Sequence, residues 1–84
     1  MYKLIFDPKA IDFLEKAPKD IAKRIWNKIL STKEDPYHFF ERLTDRKDYK
    51  LRIGDYRAIA DIDDYNGKIE VTFIDHRKQV YKHL

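Results

Sequence analysis

The chain has 84 residues, of which 43% are hydrophobic and 39% charged, and 18 Lys and Arg against 15 Asp and Glu give it a net charge of +3. This length and apolar content fit a single domain over residues 1–84 and exclude a disordered chain. The chain has no cysteine, its three histidines are dispersed, and its longest apolar run near the start is Leu4–Phe6, so we expect no disulfide, no metal site, no membrane span and a cytoplasmic location.

The first part of the chain predicts one strand and two helices. Tyr2–Phe6 is an aromatic and β-branched run typical of a strand, and Asp7 with Pro8 is typical of a helix N-cap and first turn. Pro18 divides the helical region that follows. The two apolar stripes are Ala10, Phe13, Leu14 and Ala17, then Ala22, Ile25, Trp26 and Ile29, widened by Ile21 and Leu30. We expect an antiparallel helical hairpin with Trp26 in the core.

The rest of the chain predicts a loop and then three strands. Residues 31–48 have no sustained period and are expected to be irregular, with Phe39, Phe40 and Leu43 attaching them to the core. The strands are Tyr49–Ile53, Tyr56–Asp63 and Ile69–Asp75, separated by turns at 54–55 and 64–68. The predicted class is α+β with the order β-α-α-β-β-β. A small antiparallel sheet, made of this meander plus the N-terminal strand, carries the helical hairpin on one face and leaves the other face open.

Basic residues are expected to gather on that open face. Because neighbours on a strand point to opposite sides, Lys50 and Arg52 point away from the helices if Leu51 and Ile53 point toward them, and Arg57 joins them from the next strand. A C-terminal turn would place Arg77 and Tyr81 over the same face. Such a patch suits a polyanion, although a solvated strand surface, or Arg57 paired with Asp55 or Asp75, explains the pattern equally well.

Two segments resemble a known family. Residues 49–57 (YKLRIGDYR) and 76–81 (HRKQVY) are similar to the RelE/ParE superfamily of toxin-antitoxin toxins, most of all to its RelE branch. The resemblance implies the toxin of a type II system, a ribosome-dependent mRNA interferase that cleaves mRNA in the ribosomal A site. The implied catalytic set is Lys50, Arg52, Arg57, Arg77 and Tyr81. In well-studied relatives the position of Arg52 is often lysine, so Lys50 is the better candidate for a lysine-type base.

The same resemblance implies a metal-independent endoribonuclease without a cofactor. The 2′-hydroxyl attacks the neighbouring phosphate, the 5′-oxygen leaves, and a 2′,3′-cyclic phosphate forms. Further RNA contacts are expected from Arg46, Lys47, Lys78 and Lys82, and a supporting role from His76. The implied partners are a cognate RelB-like antitoxin, the ribosome with its rRNA, and mRNA, with operator DNA bound through the antitoxin and no membrane.

Two other functions are compatible with this fold. A ParE-like member would inhibit DNA gyrase by binding it, and an inactive relative would act as an antitoxin-binding corepressor. The joint presence of the five catalytic candidates favours the nuclease, because ParE-type proteins generally do not keep that set complete.

Overall fold

The N-terminal third of the chain folds as predicted into a strand and two helices. The computed structural model describes residues 1–82 and 84. Strand β1 is Lys3–Phe6, helix α1 is Pro8–Lys16 and helix α2 is Lys19–Leu30. Helix α1 ends because Ala17 precedes a proline, and the backbone there is extended (φ −72°, ψ 153°). Both helices contribute to one core, through Ala10 in α1 and Ile25 and Ile29 in α2.

The segment expected to be irregular contains two short elements. Helix α3 is the single turn Pro36–Phe39, and strand β2 is Glu41–Arg42. The prediction was incomplete because elements of four and two residues show no periodicity. Phe40 and Leu43 are nevertheless buried and Phe39 is half-buried, so these side chains attach the segment to the protein interior as expected.

The second half forms strands β3 (Tyr49–Ile53), β4 (Tyr56–Asp63) and β5 (Lys68–His76), followed by the one-turn helix α4 (Arg77–Val80). The five-stranded sheet has the order β1-β5-β4-β3-β2. The α+β class is confirmed, but the expectation of a wholly antiparallel sheet was wrong, since β1 pairs with β5 in parallel. Strand direction follows from the path of the connecting chain, which alternation within single strands does not reveal.

The sheet has a main core on one face and a smaller cluster on the other. The helix-covered face buries Leu51, Ile53, Ala58 and Ala60 against α1 and α2. On the opposite face, α4 packs Val80 on Ile59, so this face is partly covered rather than open as predicted. Trp26 was wrongly assigned to the core. It lies next to Ile25 on α2, at the edge of the buried side of that helix, and is 43% exposed. Its ring stacks on that of Phe6, with ring centroids 5.0 Å apart.

A β-bulge in β5 lets this strand supply both clusters. Val71 pairs with Ala60 while Phe73 pairs with Ile59, which leaves Thr72 as an extra residue. The Thr72 hydroxyl donates to the carbonyl oxygen of Ile59 at 3.1 Å. Because of the extra residue, Val71 faces the main core while Phe73 faces α4.

Candidate active site

Three of the predicted basic residues lie on the sheet face that α4 covers. Arg52 lies directly opposite Arg57 in the β3–β4 pair, and Lys50 lies opposite Ile59, which packs against α4. The alternation of β3, and the pairing of β4 with it, place all three away from the helices, as the sequence predicted.

Helix α4 is fixed to the turn between β3 and β4, and this holds Arg77 beside that turn. The backbone N–H of Arg77 donates to the carbonyl oxygen of Asp55 at 2.8 Å, and its Nε lies 3.9 Å from Asp55 Oδ1. Val80, 1% exposed, anchors the other end of the helix in the small cluster. The helix has a single turn, in agreement with the C-terminal turn expected from the sequence.

His76 holds the start of α4 from the opposite side of the sheet. Its Nδ1 accepts a hydrogen bond from the backbone N–H of Lys78 at 3.2 Å, which caps the helix. Its ring meets that of Tyr56 edge to face at 5.6 Å, and Tyr56 packs against the main core. The side chain of His76 therefore supports α4 and faces away from Lys50 and Arg52.

Lys50 and Tyr81 are in direct contact, although 31 positions separate them in the chain. Lys50 Nζ donates to Tyr81 Oη at 3.4 Å and lies 5.8 Å from the centre of the Tyr81 ring. Tyr81 is 54% exposed, so one face of its ring can receive a nucleotide base. A cation and an exposed aromatic ring side by side are suited to a phosphate and its base.

The two arginines on the sheet differ in their contacts. Arg57 is only 9% exposed, and its Nη1 donates to the carbonyl oxygens of Gly54 at 2.7 Å and Tyr56 at 2.8 Å. Within residues 1–82 and 84, neither of the ion pairs considered for Arg57 in the sequence analysis is present. Arg52 is exposed and has no side-chain hydrogen bond or ion pair to another described residue. Arg57 therefore braces the turn, while Arg52 is available to bind an anion.

The flanking residues expected to bind RNA fall into two groups. Lys47, Lys78 and Lys82 are exposed. Arg46 differs because it forms an ion pair with Asp48, in which Nε donates at 2.8 Å and Nη2 at 2.9 Å. Its third nitrogen, Nη1, donates to the carbonyl oxygen of Leu84 at 3.4 Å. The hydrogen bond from Arg46 lowers the pKa of Asp48, against an opposing effect of burial. This pair ties the loop before β3 to the end of the described chain.

Sequence reasoning missed the contribution of β2. Glu41 lies opposite Lys50, with Oε2 3.8 Å from Lys50 Nζ, and Arg42 Nε donates to the carbonyl oxygen of Arg46 at 3.3 Å. Both residues line a surface groove of about 410 Å³ that also includes Lys50 and Tyr81. A two-residue strand gives no periodic signal, so nothing in the sequence placed these side chains at the site.

The charge of this sheet face changes sign along β4, from Arg57 to Asp61. Opposite the basic end, Asp61 pairs with Glu70 across β4 and β5. A hydrogen bond with Asp7 and the charge of that carboxylate raise the pKa of Glu70.

In the described part of the chain, no group of three acidic, His or Cys side chains is arranged to hold a metal ion. No helix among the described residues is long and apolar enough to span a membrane.

Known structures share this fold over nearly the whole chain. The toxin-antitoxin complex RelBE2 from Mycobacterium tuberculosis matches with a TM-score of 0.81 and 24% identity, over 90% of this chain and 98% of that one. The intact E. coli RelBE complex matches with a TM-score of 0.76 and 22% identity, over 90% and 96%. The isolated E. coli RelE toxin matches with a TM-score of 0.74 and 19% identity, over 100% of both chains. At these identities the likeness concerns the fold.

The sequence itself identifies the family. No curated protein matches the chain. Residues 4–81, however, match the family described as the ParE toxin of the type II toxin-antitoxin system parDE. This match runs from the second residue of β1 to the residue after α4 and so includes nearly all the strands and helices described above. The chain therefore belongs to the ParE toxin family of the RelE/ParE superfamily, and is a toxin of a type II toxin-antitoxin system.

Proposed function

We propose that this toxin is a metal-independent endoribonuclease that cleaves mRNA in the ribosomal A site. The observation that carries the proposal is that three of the five predicted residues share one sheet face, a fourth contacts Lys50, and Arg77 is held at the β3–β4 turn. The five residues are Lys50, Arg52, Arg57, Arg77 and Tyr81. Cations and an exposed aromatic ring at one place suit a phosphodiester and an adjoining base.

The exposed arginines would stabilise the reacting phosphate. Attack by the 2′-hydroxyl concentrates negative charge on the phosphate oxygens, and a guanidinium offers two parallel hydrogen bonds to them while keeping its charge. Arg52 and Arg77 have the exposure for this task. Arg57 would keep the β3–β4 turn in shape so that α4 holds Arg77 in place.

The shallow site favours a substrate that another molecule positions. Tyr81 and Arg52 lie on an exposed surface, and the groove beside them is open to solvent. Holding the 2′-oxygen in line with the leaving 5′-oxygen is worth roughly 7 to 11 kcal/mol in well-oriented reactions. A ribosome that presents mRNA in this geometry would supply that contribution, so cleavage of free RNA should be poor.

We propose a RelB-like antitoxin as the partner, because several structures with this fold are described as RelB-RelE complexes. In the same proposal the antitoxin carries the complex to operator DNA, and the toxin meets ribosomes and mRNA in the cytoplasm without membrane association. The net charge of +3 would favour an acidic antitoxin segment.

Inhibition of DNA gyrase is the second candidate, and one observation favours it. The matching family is described by the ParE toxin of a parDE system. A gyrase inhibitor would act by binding gyrase and would need no reacting phosphate. The basic residues would then contribute to binding and not to catalysis.

Primer extension on a translated message with purified ribosomes separates these functions. We would compare wild type with Arg52→Ala and Arg77→Ala, and use Lys19→Ala as a control, because Lys19 is an exposed cation at the start of α2. Cuts in the A site that require ribosomes and disappear in both arginine variants, but persist in the control, are the expected result. A folded wild type that leaves the message intact and inhibits gyrase supercoiling would replace the nuclease by the second candidate. A wild type that does neither would make the antitoxin-binding corepressor the next function to test.

A further inference from the structure

One residue that was expected to bind RNA has its cationic group engaged within the protein. Arg46 donates from Nε and Nη2 to the Asp48 carboxylate, at 2.8 and 2.9 Å, and from Nη1 to the carbonyl oxygen of Leu84 at 3.4 Å. The Asp48 side chain is only 13% exposed, so the carboxylate half of this two-point ion pair is largely withdrawn from water. Each guanidinium nitrogen of Arg46 thus has a partner before any RNA arrives.

The loop that carries Arg46 is itself closed by hydrogen bonds. The Leu43 N–H donates to the carbonyl oxygen of Asp48 at 3.1 Å, and the Arg46 N–H donates to the carbonyl oxygen of Leu43 at 3.3 Å. Arg42 Nε donates to the carbonyl oxygen of Arg46 at 3.3 Å. Leu43 is buried in the small cluster beneath α4. The loop is therefore a fixed base from which the Arg46 side chain can hold another segment.

The segment that Arg46 holds carries Tyr81. Val80, before Tyr81, is buried in the small cluster, and Leu84, after it, is half-buried against the same cluster. Tyr81 itself is exposed, and its hydroxyl accepts a hydrogen bond from Lys50. Because the core does not enclose this ring, its place depends on the backbone on either side. Val80 fixes one side, and the contact of Leu84 with Arg46 fixes the other.

We propose that Arg46 is a positioning residue for Tyr81, acting through its contact with Leu84 instead of through RNA; this inference rests on the proposed function. Asp48 orients the Arg46 guanidinium toward Leu84. Arg46, Tyr81 and Leu84 all border the groove beside Lys50. A displacement of about 1 Å can cost roughly 100-fold in rate. Loss of this bridge should therefore slow cleavage while leaving the affinity for ribosomes intact.

Arg46→Ala and Asp48→Ala separate positioning from RNA contact, because they change the net charge in opposite directions. If Arg46 bound a phosphate, its loss would weaken ribosome binding, and loss of the Asp48 carboxylate would not. If Arg46 positions Tyr81, both substitutions break the same bridge. We then expect single-turnover cleavage of ribosome-bound mRNA, at saturating toxin, to slow by about 10- to 100-fold in each variant. Affinity for vacant ribosomes should stay within about threefold of wild type in Arg46→Ala and should not fall in Asp48→Ala.

Two further variants make the comparison specific. Arg46→Lys keeps the positive charge but lacks the planar group that reaches Asp48 and Leu84 together, so cleavage should remain about tenfold slower or more. Lys47→Ala removes the same charge from the neighbouring exposed residue, and it should lower both the ribosome affinity and its salt dependence. Melting temperatures well above the assay temperature would show that unfolding does not account for a slower rate.

A double-mutant cycle tests whether Arg46 acts through Tyr81. Tyr81→Ala alone should slow cleavage, and adding Arg46→Ala to it should change the rate by less than about threefold. A merely structural role of Arg46 would instead leave the two effects additive, because the two substitutions would then act independently.

Three results would overturn the inference. They are cleavage by Arg46→Ala within about threefold of wild type, additive effects in the cycle, and weakened ribosome binding in Arg46→Ala while Asp48→Ala binds and cleaves like wild type. The last result would make Arg46 an RNA contact. In all three cases the wild type still cleaves, so the proposed function survives. A wild type that does not cleave ribosome-bound mRNA overturns the proposed function and this inference with it.

Discussion

Arg52 and Arg57 pair across strands β3 and β4, but one side chain is exposed to solvent and the other is buried. Arg57 is almost fully buried, and its guanidinium joins the carbonyl oxygens of Gly54 and Tyr56. Arg52 extends into solvent and has no such partner among the described residues. Two arginines of one sequence motif thus divide between support of the turn and readiness to bind an anion.

This difference predicts opposite effects of alanine at the two positions. Arg57→Ala should lower the free energy of unfolding by about 1 to 3 kcal/mol, because the carbonyl oxygens of Gly54 and Tyr56 lose a charged donor. Arg52→Ala should change it by less than about 0.5 kcal/mol, as is usual at an exposed position, while abolishing cleavage. Urea unfolding and primer extension on the same preparations measure both. Equal stability of the two variants would contradict the structural role of Arg57.

At the level of elements, the turn between β3 and β4 holds the site together. Gly54 has φ +57°, a conformation that L side chains rarely adopt, and a Cβ there would collide with the Arg24 guanidinium. The same turn supplies the acceptors for Arg57 and, through Asp55, for the start of α4. Backbone shape at this turn therefore controls where Arg77 lies.

Gly67 provides a matched comparison for this turn. It has φ +62°, but nothing lies within 4 Å of the position its Cβ would take. Gly67→Ala should cost about 1 kcal/mol of stability from backbone strain alone and leave cleavage nearly unchanged. Gly54→Ala should slow cleavage as well, because strain at this turn also disturbs the acceptors of Arg57 and of the start of α4. Chemical unfolding with ribosome-dependent cleavage tests the pair, and equal activity of both variants would contradict the role given to the β3–β4 turn.

The elements that the sequence predicted correctly are those long enough to show a periodic pattern of apolar residues. The stripes of α1 and α2 and the alternation of β3 were sufficient to place Lys50 and Arg52 on one face. The pairing of β2 brought Glu41 to the site, and a strand of two residues has no period to detect. The parallel pairing of β1 depends on how distant segments meet, which local spacing does not encode. The contact of Arg46 with Asp48 was readable in principle, since only one residue separates them.

For the whole molecule, charge is distributed unevenly over the face that α4 covers. Arg52 and Arg57 lie next to the β3–β4 turn, and Asp61 with Glu70 lies toward the other end of β4. A net charge of only +3 therefore understates the local field at the candidate site. A polyanion should approach this protein in a preferred orientation.

Binding to ribosomes should consequently depend on salt in a way that specific lysines control. We expect affinity for vacant ribosomes to fall steeply with ionic strength, and Lys78→Ala with Lys82→Ala to reduce the slope of log affinity against log salt by about one or more. Lys19→Ala with Lys23→Ala, on exposed positions of α2, should leave the slope unchanged. Filter binding at several salt concentrations measures this. A change of slope in the α2 pair alone would place the ribosome contact on the helices instead.

The bulge at Thr72 acts as a phase shift along β5. Before it, Ile69 and Val71 point into the main core, and after it the inward positions move from odd to even residue numbers, as Ile74 shows. The first part of β5 therefore packs against the main core, while its end leads directly into α4, which lies on the opposite face of the sheet. Loss of a single residue here would reverse the orientation of every side chain up to Arg77. The position of the catalytic candidates thus depends on the number of residues in β5 as well as on their chemical identity.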